Sequence, residues 1–375
     1  MSRLFSPLRI GGKTLNQRIA MAPMTRLRAD QSHLPLPSVK EYYEQRANVP
    51  GSLIVTEATV ISPRHGGYPN VPGIYSDSQV TAWKEVTDAV HRKESYIYLQ
   101  LWALGRTANP AFLKQGGHPL LSASDSPMKS AFSDEIHQPR PMTEKEIQDA
   151  IDDFRKAANN AMRAGFDGVE IHGANGYLVD QFLQDVSNKR MDKWGGTIAN
   201  RSRLAVEVTR AVAAEIGNQR TAIRLSPWSR YQGMRMEDPI PQFSDVVRQL
   251  AQFKLAYLHA CEGDARDNDL KWLLEAYGNS SPVLVAGNYN GDSAKTAVDE
   301  IYANHDVVVA FGRPYIANPD LPFKIKRGLP FAQFDAATMY GQGSQGYVDY
   351  PFSEEFNQDP GQSQDLRAKA SCTIA

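Results

Sequence analysis

The chain has 375 residues, 42% hydrophobic and 22% charged, with a net charge of −1. That composition suits a globular protein with a sizeable core, and the charge balance gives no electrostatic reason to expect nucleic acid or an anionic membrane as partner. No apolar run nears the roughly 20 residues of a membrane span, the start lacks a secretory apolar core, and Cys261 and Cys372 stand in no metal or redox spacing; a reducing, cytoplasmic setting is expected.

Gly11-Gly12, between Leu-Arg-Ile and Lys-Thr-Leu, predicts an N-terminal β-hairpin. Eight runs rich in aliphatic and β-branched residues follow, at 18–21, 53–56, 96–99, 168–171, 221–225, 257–260, 282–286 and 307–310. Most are continuously apolar, as expected of parallel strands covered on both faces. Between them lie helical patterns at 79–93, 199–216, 241–254 and 291–303. The clearest opens with the capping box Thr143-Glu-Lys-Glu146, continues through Ile147, Ile151, Phe154, Ala158 and Met162, and stops at Gly165. Eight strands alternating with helices predict a single (β/α)₈ TIM barrel over residues 1–352. An open doubly wound sheet is the weaker reading, since the GxGxxG turn of its dinucleotide-binding form is missing. Residues 103–142, rich in Pro, Gly, Ser and Ala, form a long excursion after the third strand whose position predicts a lid. The polar tail 353–375 is expected to be loose.

Active sites of such barrels gather at the C-terminal strand ends. The fourth strand leads into His172, Asn175 and Tyr177. The first two can donate to one oxygen, polarising a carbonyl and stabilising an enolate. Tyr177, with an unperturbed pKa of about 10, can give a proton. The residues alone equally allow a structural loop in which His172 and Asn175 satisfy backbone groups. Gln100 and Arg224 lie within strands three and five. A buried Arg calls for an anionic or electron-rich partner, either a ligand or a carboxylate of the protein. Gly287 and Gly312 permit close backbone approach after strands seven and eight, where barrels commonly hold phosphate, and Arg313 can pair with it.

With these residues assembled, the chain resembles the old yellow enzyme family from about residue 3 to 352. The resemblance is carried by Ala22-Pro-Met-Thr-Arg-Leu-Arg-Ala29, Gly66-Gly-Tyr-Pro-Asn-Val-Pro-Gly73, Gln100-Leu-Trp102, and Gly165-Phe-Asp-Gly-Val-Glu-Ile-His-Gly-Ala-Asn-Gly-Tyr-Leu178. Further matches are Arg190-Met-Asp-Lys-Trp-Gly-Gly196, Ala286-Gly-Asn288, Phe311-Gly-Arg313 and Gly346-Tyr-Val-Asp-Tyr-Pro351. It implies non-covalent FMN held by Pro23, Met24, Thr25, Ala58, Gln100, Arg224, Gly287, Asn288, Gly312 and Arg313, with NADPH as hydride donor. It further implies that His172 and Asn175 bind a substrate carbonyl, that Tyr177 is the proton donor, and that Tyr68, Trp102 and Tyr347 wall the substrate cavity. The implied reaction is reduction of the activated C=C bond of an α,β-unsaturated aldehyde or ketone.

Pro37, Glu41-Tyr-Tyr-Glu-Gln-Arg46 and Val49-Pro-Gly51 look like the fungal branch that includes chanoclavine-I aldehyde reductases of alkaloid metabolism. In that branch Tyr at the proton-donor position goes with net reduction and Phe with isomerisation. Arg106 stands where some relatives carry an apolar residue, which implies a different or polar substrate. The alternatives are a flavin-dependent isomerase without net NADPH use and a non-catalytic flavin-binding barrel. A metal or Schiff-base enzyme ranks last, because His65, His91, His118, His137 and His259 have no ligand spacing. A monomer or homodimer is expected.

Overall fold

Seven of the eight barrel strands feed two apolar cores at once, and the fourth contributes only to the outer one. The structure, a computed structural model, describes residues 2–129, 134–263 and 269–360. Ile19–Met21 (β1) is followed by Pro37–Arg46 (α1), Leu53–Val55 (β2), Asp77–His91 (α2), Tyr96–Trp102 (β3), Glu144–Arg163 (α3) and Gly168–Gly173 (β4). Ile198–Ile216 (α4), Thr221–Leu225 (β5), Ile240–Ala251 (α5), Tyr257–Cys261 (β6), Lys271–Tyr277 (α6), Val283–Ala286 (β7), Gly291–Thr296 (α7), Val307–Phe311 (β8) and Leu321–Arg327 (α8) complete the sequence. All eight strands pair in parallel, and β3 with β4 and β8 with β1 close the ring.

The side chains alternate as strands require. Ile19, Met21, Ile54, Leu99, Val169, Ile223, Val285 and Val309 face outward into the core shared with the helices. Ala20, Leu53, Val55, Tyr98, Ala222, Tyr257, Leu284 and Val308 fill the interior. The expected hairpin, Leu8–Ile10 with Lys13–Leu15, adds Leu8, Ile10 and Leu15 to that interior core and plugs the barrel's bottom. Its turn demands Gly11, which has φ +55°; a Cβ there would sit 2.2 Å from the Gln219 carbonyl oxygen. Toward the other end the inward residues become small, with Ala22, Ala286 and Ala310 leaving room under the mouth.

The helix α3 shows how the coat is set. Glu146 N–H donates to Thr143 Oγ1 at 3.3 Å and Thr143 N–H to Glu146 Oε2 at 2.8 Å, closing the capping box. Ile147, Ala150, Phe154, Ala157, Ala158 and Ala161 are buried along one face; burying a Phe side chain contributes roughly 2–3 kcal/mol.

Two departures have local causes. Helices α1, α6 and α8 were not anticipated; in α1, Pro37 at its start and many polar residues mask a face defined by Val39, Tyr42, Tyr43 and Arg46. The helix expected over 291–303 loosens after Thr296 into a wider π-type turn, Ala297–Ile301. The 103–142 excursion is built of short pieces, including Pro110–Gln115 and the paired strands Met128–Lys129 and Ile136–His137. After Ser353 comes a short helix, Glu354–Gln358, with Phe356 buried. Residues 361–375, including Cys372, lie outside the described residues.

Candidate active site

Two cavities open at the C-terminal end of the barrel and share Pro23, Met24, Asn175 and Arg224 in their walls. One, of about 740 Å³, is lined by Thr25, Ala58, Tyr68, Gln100, Trp102, His172 and Tyr177. The other, of about 680 Å³, is lined by Ala286, Gly287, Asn288, Gly312 and Arg313. The structure thus brings together every predicted site residue but one.

The loop after β4 is held rigidly. Asn175 has φ +56°, a conformation Asn tolerates better than most residues. Its N–H donates to Ser226 Oγ at 2.7 Å, and its carbonyl accepts from Gln232 Nε2 at 3.1 Å. The next residue, Gly176, donates to Asp180 Oδ2 at 2.8 Å. Among the described residues, neither the His172 nor the Asn175 side chain donates to protein, and His172 Nδ1 is buried without a partner. The purely structural reading of this loop is therefore unsupported, since these side chains do not serve the backbone. Burial, then the charges of Arg224 and His259, holds the His172 imidazole well below its ordinary range, so it is neutral. Tyr177 packs edge-on against Trp102 at 5.0 Å and against His172 at 4.7 Å. Burial, and then Tyr68 and Tyr231, raises its phenol well above 10, so it stays protonated. A neutral donor ring, an amide and a protonated phenol together suit binding an oxygen and delivering a proton beside it.

Beneath them is a polar layer in which Gln100 and Arg224 are joined by Glu170 and His259, to which the sequence reading gave no role. Glu170 is fully buried; Gln100 Nε2 donates to its Oε1 at 2.7 Å, and His259 Nδ1 lies 2.8 Å from its Oε2. Burial pushes the Glu170 carboxyl up, but the charges of His259 and Arg224 and the two hydrogen bonds bring it below the usual range. Burial likewise holds His259 low despite Glu170. In register, Arg224 pairs with His172 on one side and His259 on the other. No carboxylate oxygen lies within 4.0 Å of the Arg224 guanidinium among the described residues, and its Nε is buried without a partner. A donor is thus left to a ligand rather than spent in a close ion pair.

Tyr347 is the exception. It is fully buried, stacked on Tyr42 at 4.1 Å beneath the guanidinium groups of Arg26 and Arg28, so the expectation that it walls the cavity is corrected. Those arginines reach back to the chain leading to Tyr347. Arg26 donates to the Met339 and Gly346 carbonyls at 3.0 and 2.8 Å, and Arg28 to Met339 and Thr338 at 2.8 and 3.1 Å. The stapled segment places Met339 and Tyr340 in the cavity wall instead. Arg106 is also displaced from its expected role: it is buried and donates to the Gln232 carbonyl at 3.2 Å, outside the main cavity. The excursion does reach the mouth, through Thr107, Asn109, Glu135 and His137.

Neutral donors stand above a guanidinium-bearing floor, continuous with a glycine-lined pocket ending at Arg313. The profile of the "NADH:flavin oxidoreductase / NADH oxidase family" matches residues 3–332. The chain is 54% identical over 95% of its length to "Chanoclavine-I aldehyde reductase fgaOx3" of Penicillium roqueforti, covering 98% of that protein. It is 48% identical to "Probable inactive reductase easA" of Epichloe festucae var. lolii, with 95% and 96% of the two chains covered. The crystal structure of an old yellow enzyme homologue from Zymomonas mobilis superposes with a TM-score of 0.86 at 38% identity, covering 93% of this chain and 99% of that one. The protein belongs to this family, the FMN-dependent oxidoreductases of old yellow enzyme type. Among the described residues no helix is long and apolar enough to cross a membrane, and no group of three or more His, Cys, Asp or Glu residues is placed to hold a metal ion.

Proposed function

We propose that the protein is an ene-reductase that uses FMN and NADPH to reduce the C=C bond of α,β-unsaturated aldehydes or ketones. The observation that carries the reading is the convergence of neutral His172, uncommitted Asn175 and protonated Tyr177 on one cavity whose floor is Gln100 and Arg224.

The residues present fit FMN. Arg224 Nε is buried and unpaired, and nothing crowds the space above Gly312, where an added Cβ would meet only Met24 at 3.7 Å. Pro23, Met24, Thr25, Ala58, Gln100 and Arg224 would hold the ring, with Gly287, Asn288, Gly312 and Arg313 around the phosphate. When bound, FMN supplies the capacity to take hydride from NADPH and pass it to the alkene. His172 and Asn175 hold the carbonyl oxygen and stabilise the charge that grows on it. Tyr177 O–H gives its proton to Cα. Trp102 and Tyr68, with ring centroids 5.6 Å apart, keep water from the reacting carbon.

Similarity to a protein named as a chanoclavine-I aldehyde reductase supports a fungal secondary-metabolite aldehyde as natural substrate. Tyr177 favours net reduction over isomerisation. The test is the visible spectrum of the purified protein before and after anaerobic NADPH. A flavin band that bleaches with NADPH and returns on adding an enal is expected. Absence of flavin after reconstitution with FMN would overturn the assignment.

A further inference from the structure

A carboxylate only accepts hydrogen bonds, whereas a carboxamide carries an acceptor at one end and donors at the other. Glu170 lies inside the barrel, fully buried, with Oε1 taken by Gln100 Nε2 at 2.7 Å and Oε2 facing His259 Nδ1 at 2.8 Å. Gln100 must therefore turn its NH₂ downward and leave Oε1 toward the cavity that it lines. His259 must carry a proton on Nδ1, and its buried Nε2 has no partner. Glu170 also sets a negative charge near Arg224, whose guanidinium lines the same floor.

We propose that Glu170 is a positioning residue that fixes the hydrogen-bond polarity and the charge of the cofactor floor. The inference rests on the FMN reading above. The pyrimidine edge of a flavin carries one N–H between two carbonyls, so it needs an acceptor beside donors. Gln100 turned by Glu170 supplies the acceptor and Arg224 the donors. Gln at position 170 can donate as well as accept, so Gln100 is free to turn its NH₂ toward the ring N–H, donor against donor. The same change removes a negative charge near Arg224, leaving the floor more positive and favouring reduced, anionic flavin.

The test compares wild type and Glu170→Gln as apoprotein reconstituted with FMN or 3-methyl-FMN, in which the ring N–H is blocked. Wild type is expected to bind FMN at least about tenfold more tightly than 3-methyl-FMN, the cost of losing a hydrogen bond and leaving a buried acceptor unpaired. In Glu170→Gln that preference narrows. The ratio of reduced to oxidised FMN affinity rises about tenfold, equivalent to a midpoint potential about 30 mV higher for the two-electron couple. A residue that only filled space would lower the melting temperature and move neither reading. Unchanged potential and unchanged discrimination in Glu170→Gln would overturn the proposal. If that variant does not fold, equal affinity of wild type for the two flavins does so. Failure of wild type to take up FMN would instead remove the cofactor assignment itself.

Discussion

Replacing Tyr177 by Phe removes one oxygen and preserves the ring that meets Trp102 at 5.0 Å and His172 at 4.7 Å. Proton donation by a positioned acid contributes about 10²–10⁴-fold to a rate. The variant should therefore fold, bind FMN and accept hydride from NADPH at the wild-type rate, while reoxidation by an enal slows by about that factor. Stopped-flow absorbance at the flavin band separates the two half-reactions. Because burial raises the Tyr177 phenol above 10, the wild-type reoxidation rate should not lose its acid across neutral pH. Equal slowing of both half-reactions, or no slowing of reoxidation, would refute the role.

Replacing His172 and Asn175 together by Ala should weaken a phenolate ligand at the flavin face. Hydrogen bonds to a charged oxygen contribute about 1.5–3 kcal/mol, so the dissociation constant read from the absorbance change should rise at least about tenfold. Tyr340→Ala opens the cavity wall at a residue that is 57% exposed. It should raise KM for a bulky enal while leaving reduction by NADPH unchanged, and an unaltered KM would place Tyr340 outside the substrate's reach. Burial holds His65 down to about 4, so its native state resists protonation while the unfolded state binds a proton near 6.5. This contribution is fully present above pH 6.5 and is lost as pH falls toward 4, by roughly 3 kcal/mol. Urea midpoints for His65→Gln should show a shallower rise with pH across that window; an unchanged slope would contradict it.

The barrel was legible because parallel strands covered on both faces must be apolar throughout, so runs such as Val283–Ala286 and Val307–Phe311 declare themselves without knowledge of their neighbours. His172, Asn175, Tyr177, Gln100 and Arg224 were legible for the converse reason: polar side chains at or near the ends of such strands need a use. Glu170 and His259 obey the same logic, yet neither stands at the last inward position of its strand. Their meaning depends on the register that pairs Glu170 with Gln100 and Arg224 with His259.

The sequence by itself determined the strand order, the longer helices, the hairpin at Gly11, the capping box at Thr143 and the residue types at the barrel mouth, because local periodicity and turn chemistry act over a few residues. Tertiary structure alone decided that Tyr347 stacks under Arg26 and Arg28 while Tyr340, seven positions earlier, lines the cavity. Hydrogen bonds spanning more than 300 positions hold that segment in place, and no local pattern encodes such a contact. Glu135 and His137 likewise reach the mouth only because the excursion folds back over it. Closing the barrel brings residues far apart in sequence onto one floor, and that closure supplies the charge and hydrogen-bond polarity on which the chemistry depends.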